Sequence, residues 1–457
     1  MLFSGIPFLF YFLPIVVLVY FLVPDRAKNA ILLAFSLLFY AWGEPKYVAL
    51  MIFSILAYFC FGLAIEKSNR KKVWLTVSIV TGVIILGIFK YCDFFISSFN
   101  KALGISIPLL RLALPIGISF YTFQCMSYTM DVYRGNASAQ KDIVDFAAYV
   151  ALFPQLIAGP IVRYVDVETE LQQRSHGFDN FIQGLPRFLM GLAKKVLLAN
   201  NLGLLTQLFR NSTEKSVLFA WLYAIAFALH IYFDFSGYSD MAIGLGRIFG
   251  FRFPENFDYP YIARSVTEFW RRWHMTLGGW FRDYVYIPLG GNRVSSGRWV
   301  LNIIVVWMLT GLWHGAAWNF VVWGLMFALL LVVEKWIPGL RKLPSIFSHI
   351  YVMIVVIISF VIFNADSMTQ AGSDLAAMFG IARLPLMNAE AIYYLRSYGL
   401  VIVLATIGAT PLPKALLHKL PCNAISVLQP LVLGLLLLIC TAYLVDGSYN
   451  PFLYFRF

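Results

Sequence analysis

Long apolar blocks constrain this chain more than any other feature of its sequence. Many of them reach the roughly 20 residues that a helix needs to cross the hydrocarbon core of a bilayer. Only 13% of the 457 residues are charged, whereas about a quarter would be charged in a soluble chain. No polar stretch is long enough to form a soluble domain. The sequence therefore predicts an all-α protein, a polytopic transmembrane helical bundle.

Basic loops predict the orientation of the apolar segments in the membrane, since Lys and Arg stay on the cytoplasmic side. The loop 366–390 is acidic and is expected outside, so alternation also places the tail 446–457 outside. The apolar start lacks a basic n-region and a cleavage site, which predicts a retained helix with its N-terminus outside. About eleven spans are expected, with a short or re-entrant segment at 143–160 and an interfacial helix at 181–206. The predicted spans are 1–23, 29–41, 46–65, 73–97, 112–131, 217–233, 300–316, 319–334, 347–364, 391–409 and 426–445.

The whole chain, 1–457, is expected to form one transmembrane domain. Its net charge of +12 mainly reflects the basic loops that orient the chain in the membrane. A nucleic-acid partner is not expected, because the sequence shows no basic face with stacking aromatics. The five cysteines are scattered and form no C-x-x-C pair, so a metal or redox site is not expected. The expected parts are N-terminal helices 1–142, a catalytic core 143–334 with an arginine-rich cytoplasmic segment 247–299, C-terminal helices 335–445 and an aromatic tail 446–457.

His314 is the strongest candidate for a chemical role. It lies in an apolar span that begins near Trp299, roughly 22 Å along the helix at 1.5 Å per residue. An ionisable group at that depth is costly, so it is a functional candidate by default. Gly311 and Gly315 beside it would let backbone or a substrate approach closely. The alternative is a histidine that holds two helices together by hydrogen bonds.

His274 is the second candidate, inside the aromatic and arginine-rich segment that follows residue 233. Arginines beside aromatic residues at an interface suit a phosphorylated, amphipathic donor, because arginine binds phosphate oxygens bidentately. The alternative is a set of orientation charges on a cytoplasmic loop. Upstream, His230 and Asp234 are spaced i,i+4 and favour a structural network over catalysis.

Several runs resemble one known family, the bacterial membrane-bound O-acyltransferases. The runs are FPQLIAGP at 153–160, LWHGAAWN at 312–319 and NPFLYFRF at 450–457, with further matches at 232–241 and 270–293. The similarity is to the branch that O-acetylates alginate, cellulose and peptidoglycan, with the teichoic-acid D-alanylation protein as a cousin. No P-loop, G-x-S-x-G or H-E-x-x-H motif points elsewhere.

This resemblance implies a bundle around a funnel or tunnel in the bacterial cytoplasmic membrane. It implies that His314 is the catalytic residue and His274 its usual polar companion. The donor would be a cytoplasmic acyl thioester, acetyl-CoA as a substrate and not as a permanently bound cofactor. The acyl group would reach a polysaccharide through an SGNH-type transferase partner. The expected donor-binding residues are Arg271, Arg272, Arg282, Arg293, Trp273 and Asn292, and the expected supporting residues are Asp234, Asp240, Trp313 and Asn319.

The tail adds a third catalytic candidate, Tyr454. Five of the eight residues from Asn450 to Phe457 are Pro, Phe or Tyr, and a disordered tail would be polar, so this one is expected to dock. Nine extended residues reach roughly 30 Å, enough to approach His314 from outside. A phenol is easier to deprotonate than a sugar hydroxyl, which makes Tyr454 a candidate transient acyl carrier. The alternative is an interfacial aromatic anchor.

Two other functional classes compete with an acyltransferase. A transporter or flippase for a lipid-linked sugar or small anion would also use intramembrane histidines and arginines. It predicts an inverted repeat with paired broken helices, which the sequence does not show. An inert scaffold for glycan synthesis predicts that His314 is dispensable.

Overall fold

The computed structural model describes residues 2–337, 339, 343–417, 419–447 and 452–453, with backbone alone at Cys422 and Ala424. Within these ranges every regular element is a helix, and the only β-type pairing is an isolated antiparallel bridge between Phe257 and Trp273. The helices of 16 or more residues are Lys28–Gly43, Val48–Lys67, Lys71–Leu86, Ile118–Arg134, Phe178–Ala193, Val217–Ile248, Ser296–His314, Trp318–Trp336, Ser345–Asn364, Ala389–Gly408 and Cys422–Asp446. The shorter α-helices are Leu13–Leu22, Cys92–Leu103, Ile143–Ala151, Phe153–Leu156, Tyr164–Gln172, Asn200–Asn211, Val266–Arg272, Met275–Phe281, Met368–Met378 and Leu412–Leu417.

In the described part of the chain, four π-helical segments interrupt or extend these helices. They are Phe8–Phe12, Gly87–Tyr91, Lys194–Ala199 and Arg282–Tyr286. Two of them join α-helices into longer apolar runs, Lys71–Leu103 and Phe178–Asn211. Single π-turns inside α-helices are rare and often occur at functional sites, which directs attention to the residues they contain.

Nine helical segments of the described residues are long and apolar enough to cross a membrane. The last two, Ala389–Gly408 and Ile425–Asp446, bury only 11% and 6% of their apolar window within the protein. Their exposed side chains, such as Leu400 and Leu438, would be unfavourable in water and fit lipid tails. The chain is therefore a multi-pass membrane protein, while the number of about eleven spans stays a prediction.

Contacts within the chain define two compact units. The first comprises residues 1–188 and 238–255. Its helices Val48–Lys67, Lys71–Leu86 and Ile118–Arg134 pack closely where glycines leave room. Gly62 faces the ring of Tyr128, and a methyl group there would overlap it. Phenylalanine rings pack in tilted or edge-to-face contacts at a second centre of this unit. These residues are Phe3, Phe8, Phe12, Phe39 and Phe153.

The second unit comprises residues 189–237 and 256–457. Within the described residues of this unit, the helices Ser296–His314 and Trp318–Trp336 pack together extensively as a hairpin. Two glycines let the backbones touch, because a Cβ on Gly311 would meet the carbonyl of Phe320 and a Cβ on Gly324 that of Trp307. The turn between the helices places His314 at the end of the first helix.

The predicted span 112–131 begins too early, because its helix is Ile118–Arg134, and the predicted end of the span at residue 233 is also wrong. The helix Val217–Ile248 continues for fifteen residues beyond it, through Asp234, Ser236, Ser239 and Asp240. These polar side chains are compatible with a helix in an apolar protein because acids such as Asp234 and Asp240 form ion pairs with basic side chains. The segment 143–160 forms two short helices, Ile143–Ala151 and Phe153–Leu156.

We predict that Gly324→Ala destabilises the hairpin. The added methyl group would overlap the main-chain oxygen of Trp307, which cannot move without shifting its helix. Overpacking of this kind costs about 1–3 kcal/mol, so the melting temperature in detergent should fall. Gly399→Ala is the matched control, since no atom lies within 4 Å of a Cβ there and replacing a mid-helix glycine by alanine stabilises by about 0.5–1 kcal/mol. Equal melting temperatures for the two variants would contradict this account.

Candidate active site

His314 is the last residue of helix Ser296–His314 and is 3% exposed. Gly315 follows it in extended backbone, and a Cβ at that position would overlap the ring of Phe320. Glycine is therefore required for the close turn that ends the helix. The imidazole is surrounded by rings: its centroid lies 5.1 Å from those of Trp313 and Trp323 and 5.4 Å from that of Phe363.

His274 is held in an uncommon backbone conformation. It is the N-cap of helix Met275–Phe281 with φ 46° and ψ 51°, the left-handed region that non-glycine residues rarely adopt. Residues persist there only where the surroundings enforce it. Here the contacts that enforce it come from Asn256. Its backbone carbonyl accepts a hydrogen bond from the backbone N–H of Met275, and its side-chain oxygen lies close to the His274 ring.

The hydrogen bonds of Asn256 determine the His274 tautomer. Asn256 Oδ1 lies 3.4 Å from the backbone nitrogen of Thr276, and a backbone N–H can only donate, so the side-chain atom is an acceptor. His274 Nδ1 lies 3.0 Å from the same oxygen and must donate to it. Burial lowers the pKa of His274 to about 3, so the ring is neutral near pH 7 and Nε2 carries the lone pair. A neutral imidazole is the form whose unprotonated nitrogen can accept a proton.

The structure brings the two candidate histidines together. Their ring centroids are 6.4 Å apart, and the indole of Trp313 lies beside both, 5.7 Å from His274 and 5.1 Å from His314. Phe235 closes the other side of His274 at 4.7 Å. Such an apolar enclosure excludes water, which protects a reactive ester or thioester and strengthens polar contacts inside.

Asn319 supports this enclosure from the facing helix. Its side-chain nitrogen donates to the carbonyl of Ala365 at 2.9 Å, with longer contacts to those of Ile362 and Phe363. These carbonyls lie at or just beyond the end of helix Ser345–Asn364, where carbonyls run out of N–H donors from their own helix. Asn319 thereby fixes the end of the helix that presents Phe363 to His314.

Asp234 forms a buried network that includes the C-terminal tail. Its carboxylate pairs with Lys195, and the two side chains are 1% and 3% exposed. The other carboxylate oxygen accepts from the backbone N–H of Leu453 at 2.8 Å. Phe452 is 2% exposed and its ring lies 6.0 Å from that of Phe235, which itself contacts His274. The tail therefore packs against Phe235, and Phe235 packs against His274. Tyr454 lies outside the described residues.

The predicted donor-binding arginines have different surroundings. Arg272 is ion-paired with Asp258 and Glu268, and Arg282 with its neighbour Asp283. Arg271 lines an open cavity, whereas Arg293 is exposed, as is Asn292.

Trp273 and Asp240 contact other partners. Trp273 is buried among rings, stacked on Phe269 at 5.6 Å, which gives it a packing role. Asp240 belongs to the first unit and pairs with Arg187. The donor-binding and supporting roles of all these residues stay predictions.

Three residues of this site were not expected from the sequence: Asn256, Lys195 and Trp323. Asn256 is an uncharged residue of a loop and gives no sequence signal. Lys195 was expected at an interface, yet it is buried in the π-helical segment Lys194–Ala199. The sequence did contain an indication of this burial, since Lys195 lies in an apolar stretch. An ionisable residue inside a membrane segment normally pairs with another polar group.

Comparison with known proteins identifies the class to which this fold and site belong. Residues 94–370 match the membrane-bound O-acyltransferase family, MBOAT. A probable alginate O-acetylase AlgI from Pseudomonas putida is 38% identical over the full length of both chains. A peptidoglycan O-acetyltransferase from Helicobacter pylori is 33% identical, covering 100% of this chain and 98% of its own length. A teichoic acid D-alanyltransferase from Bacillus subtilis is 30% identical over 54% of this chain and 67% of its own length.

The chain therefore belongs to the membrane-bound O-acyltransferase family, as its motifs indicated. It is an enzyme, an O-acyltransferase built as a multi-pass helical membrane protein.

We predict that the Lys195–Asp234 ion pair behaves as a buried unit. Removing one partner leaves the other charge buried alone, so Lys195→Met or Asp234→Leu should each destabilise by about 3–5 kcal/mol. The double variant should be markedly more stable than the sum of the two losses. Thermal unfolding of all four proteins in detergent measures this coupling. Strict additivity would show that the two side chains do not interact.

Proposed function

We propose that this protein takes an acetyl group from an acyl thioester on the cytoplasmic side and passes it through the membrane for O-acetylation of an extracytoplasmic polysaccharide. The observation that carries the proposal is the pair of buried histidines, His274 and His314, whose rings lie 6.4 Å apart inside an aromatic enclosure. Relatives over the full chain are named for O-acetylation of alginate and peptidoglycan, which favours an acetyl group and a polysaccharide acceptor.

The proposed chemistry is attack of a hydroxyl oxygen on the thioester carbonyl. His314 accepts the hydroxyl proton as the new C–O bond forms, and the C–S bond then breaks. The same imidazolium returns its proton to the departing thiolate, so the products are an ester and a free thiol. His274, oriented through Asn256, lies where it can stabilise the protonated partner or relay the proton. The surrounding rings exclude water, whose attack would hydrolyse the thioester.

The hydroxyl in the first step is proposed to be that of Tyr454. Its chain neighbours Phe452 and Leu453 are buried against Phe235 and Asp234, which supports a tail that approaches the histidines. The acetyl group would move from thioester sulfur to the tyrosine oxygen. It would then move from that oxygen to a hydroxyl of an SGNH-type transferase partner, which acylates the polysaccharide.

We predict that His314→Ala abolishes thioester cleavage while the fold is retained. Loss of a general base typically lowers a rate by about 10²–10⁴-fold. Thiol release from acetyl-CoA by detergent-purified protein measures it, with melting temperature as the check on folding. His176→Gln is the control, because that histidine belongs to the first unit and contacts Tyr20. Turnover near the wild-type rate in a well-folded His314→Ala protein would refute the assignment.

We predict that Tyr454→Phe keeps donor binding but loses acetylation of the polysaccharide. The variant retains the ring and removes only the hydroxyl, so an aromatic anchor would tolerate it. Incubation with labelled acetyl-CoA followed by peptide mass analysis should place the label on the C-terminal peptide of the wild type alone. An active Tyr454→Phe enzyme with no labelled peptide in the wild type would exclude the relay and leave the rest of the mechanism intact.

A further inference from the structure

Helix Ala389–Gly408 carries an arginine inside a membrane span. The helix is long and apolar enough to cross a membrane, and only 11% of its apolar window is buried within the protein. Arg396 lies seven residues after its first residue, which is about 10 Å along the axis at 1.5 Å per residue. An ionisable residue at membrane depth is costly unless it faces a bundle interior or pairs with another polar group.

Arg396 faces away from the rest of the protein. The buried residues of its helix are Ala391 and Ala405. At 3.6 residues per turn, Arg396 lies about 140° from Ala391 and about 180° from Ala405 around the helix axis. Its neighbours on the same face, Tyr393 at i−3 and Leu400 at i+4, are 64% and 70% exposed. The guanidinium is therefore on the lipid-facing side of the helix and not inside the bundle.

No carboxylate of the described residues compensates this charge. The exposed side chain of Arg396 forms neither an ion pair nor a hydrogen bond with any of them. Two acids that precede it in the chain are engaged elsewhere, because Glu390 accepts from the hydroxyl of Ser212 at 2.8 Å and Asp374 pairs with Arg210. A compensating anion is therefore expected from the surroundings of the protein.

Tyrosines mark the level of Arg396 in the membrane. Tyr393, Tyr394 and Tyr398 all lie in the first half of helix Ala389–Gly408, and its second half contains no aromatic residue. Tyrosine is enriched where the hydrocarbon core of a bilayer meets the head groups. Helical side chains also lean toward the helix N-terminus, so the long stem of Arg396 directs its guanidinium toward the same head-group level.

We propose that Arg396 binds the phosphate of a membrane phospholipid at the outward face of helix Ala389–Gly408. A guanidinium donates two parallel hydrogen bonds to the oxygens of one phosphate. The acyl chains of the same lipid pack on the exposed apolar side chains that follow on this face, Leu400, Val403 and Ile407. A phospholipid fits better than a helix of another protein, because phosphates are already present at the level that the tyrosines mark.

The start of this helix is attached to the helix that carries Asp234. The backbone N–H groups of Val217 and Leu218 donate to the carbonyls of Pro385 and Leu386, at 3.0 and 2.9 Å. A ligand that binds the folded protein and not the unfolded chain stabilises the fold by mass action. Phospholipid bound at Arg396 should therefore raise the melting temperature of the detergent-purified protein.

The test compares phosphatidylglycerol with diacylglycerol of the same acyl chains, which lacks the phosphate. Delipidated wild type, Arg396→Leu and Arg396→Lys are titrated with each lipid, and native mass spectrometry counts the bound lipid while melting temperature is recorded. Arg396→Leu should bind phosphatidylglycerol about tenfold or more weakly than wild type. Arg396→Lys should lie between them, because an ammonium is a point charge without the planar fork. Diacylglycerol should not distinguish the three proteins.

Arg383→Gln is the matched control, since Arg383 is an exposed arginine of the preceding loop and lies outside the span. This variant should bind phosphatidylglycerol as the wild type does. In lipid-free detergent Arg396→Leu should melt no lower than wild type, because leucine suits a lipid-facing position. Equal phosphatidylglycerol binding by wild type and Arg396→Leu, or an equal loss in Arg383→Gln, would overturn the proposal.

Cross-linking in native membranes separates a lipid from a protein neighbour. A photoreactive benzoylphenylalanine in place of Leu400, on the same face as Arg396, should give phospholipid adducts in the intact mass after irradiation. Adding Arg396→Leu should reduce these adducts. An adduct with another membrane protein, or with a second copy of this chain, that disappears in Arg396→Leu would overturn the lipid assignment.

Discussion

The buried ion pair of Lys195 and Asp234 is the interaction on which the second unit depends. An uncompensated charge in an apolar interior is costly, so neither residue would be tolerated alone. As a pair they allow the long helix Val217–Ile248 to place the carboxylate of Asp234 in the core. One oxygen of this carboxylate pairs with Lys195, and the other accepts a hydrogen bond from the backbone N–H of Leu453. The π-helical turn at Lys194–Ala199 carries Lys195. One electrostatic contact thus connects a helix, a helix irregularity and the C-terminal segment.

A second constraint acts on the histidines, namely the geometry of tight backbone contacts. Gly311 and Gly324 bring two helices together until their backbones touch, and Gly315 ends the first helix at His314. The left-handed backbone at His274 fixes the other imidazole. Neither histidine is therefore on a flexible loop, and the distance between the rings is set by main-chain packing. Fixed catalytic groups need little reorganisation during reaction.

Much of this arrangement was predictable because it rests on hydropathy and local motifs. The segments 319–334 and 347–364 were expected within two residues of the helices Trp318–Trp336 and Ser345–Asn364, since apolar blocks flanked by charges mark their own ends. The importance of His314 and His274 followed from polar residues in an apolar setting. Partnerships across the chain were not predictable: Asn256 with His274, and Lys195 with Asp234, are 18 and 39 residues apart. The helix beyond residue 233 was missed for the same reason, because its polar residues are acceptable only once their partners are known.

The hydrogen bond between the Asp234 carboxylate and Leu453 is donated by the backbone N–H of Leu453 and not by a side chain. A carboxylate that recognises a backbone amide is indifferent to which amino acid supplies it, with proline as the single exception because it has no amide hydrogen. A side chain other than leucine at residue 453 would therefore keep this hydrogen bond, within the limits of its apolar surroundings. The placement of Phe452 and Leu453 depends on one main-chain amide more than on the side chain at residue 453.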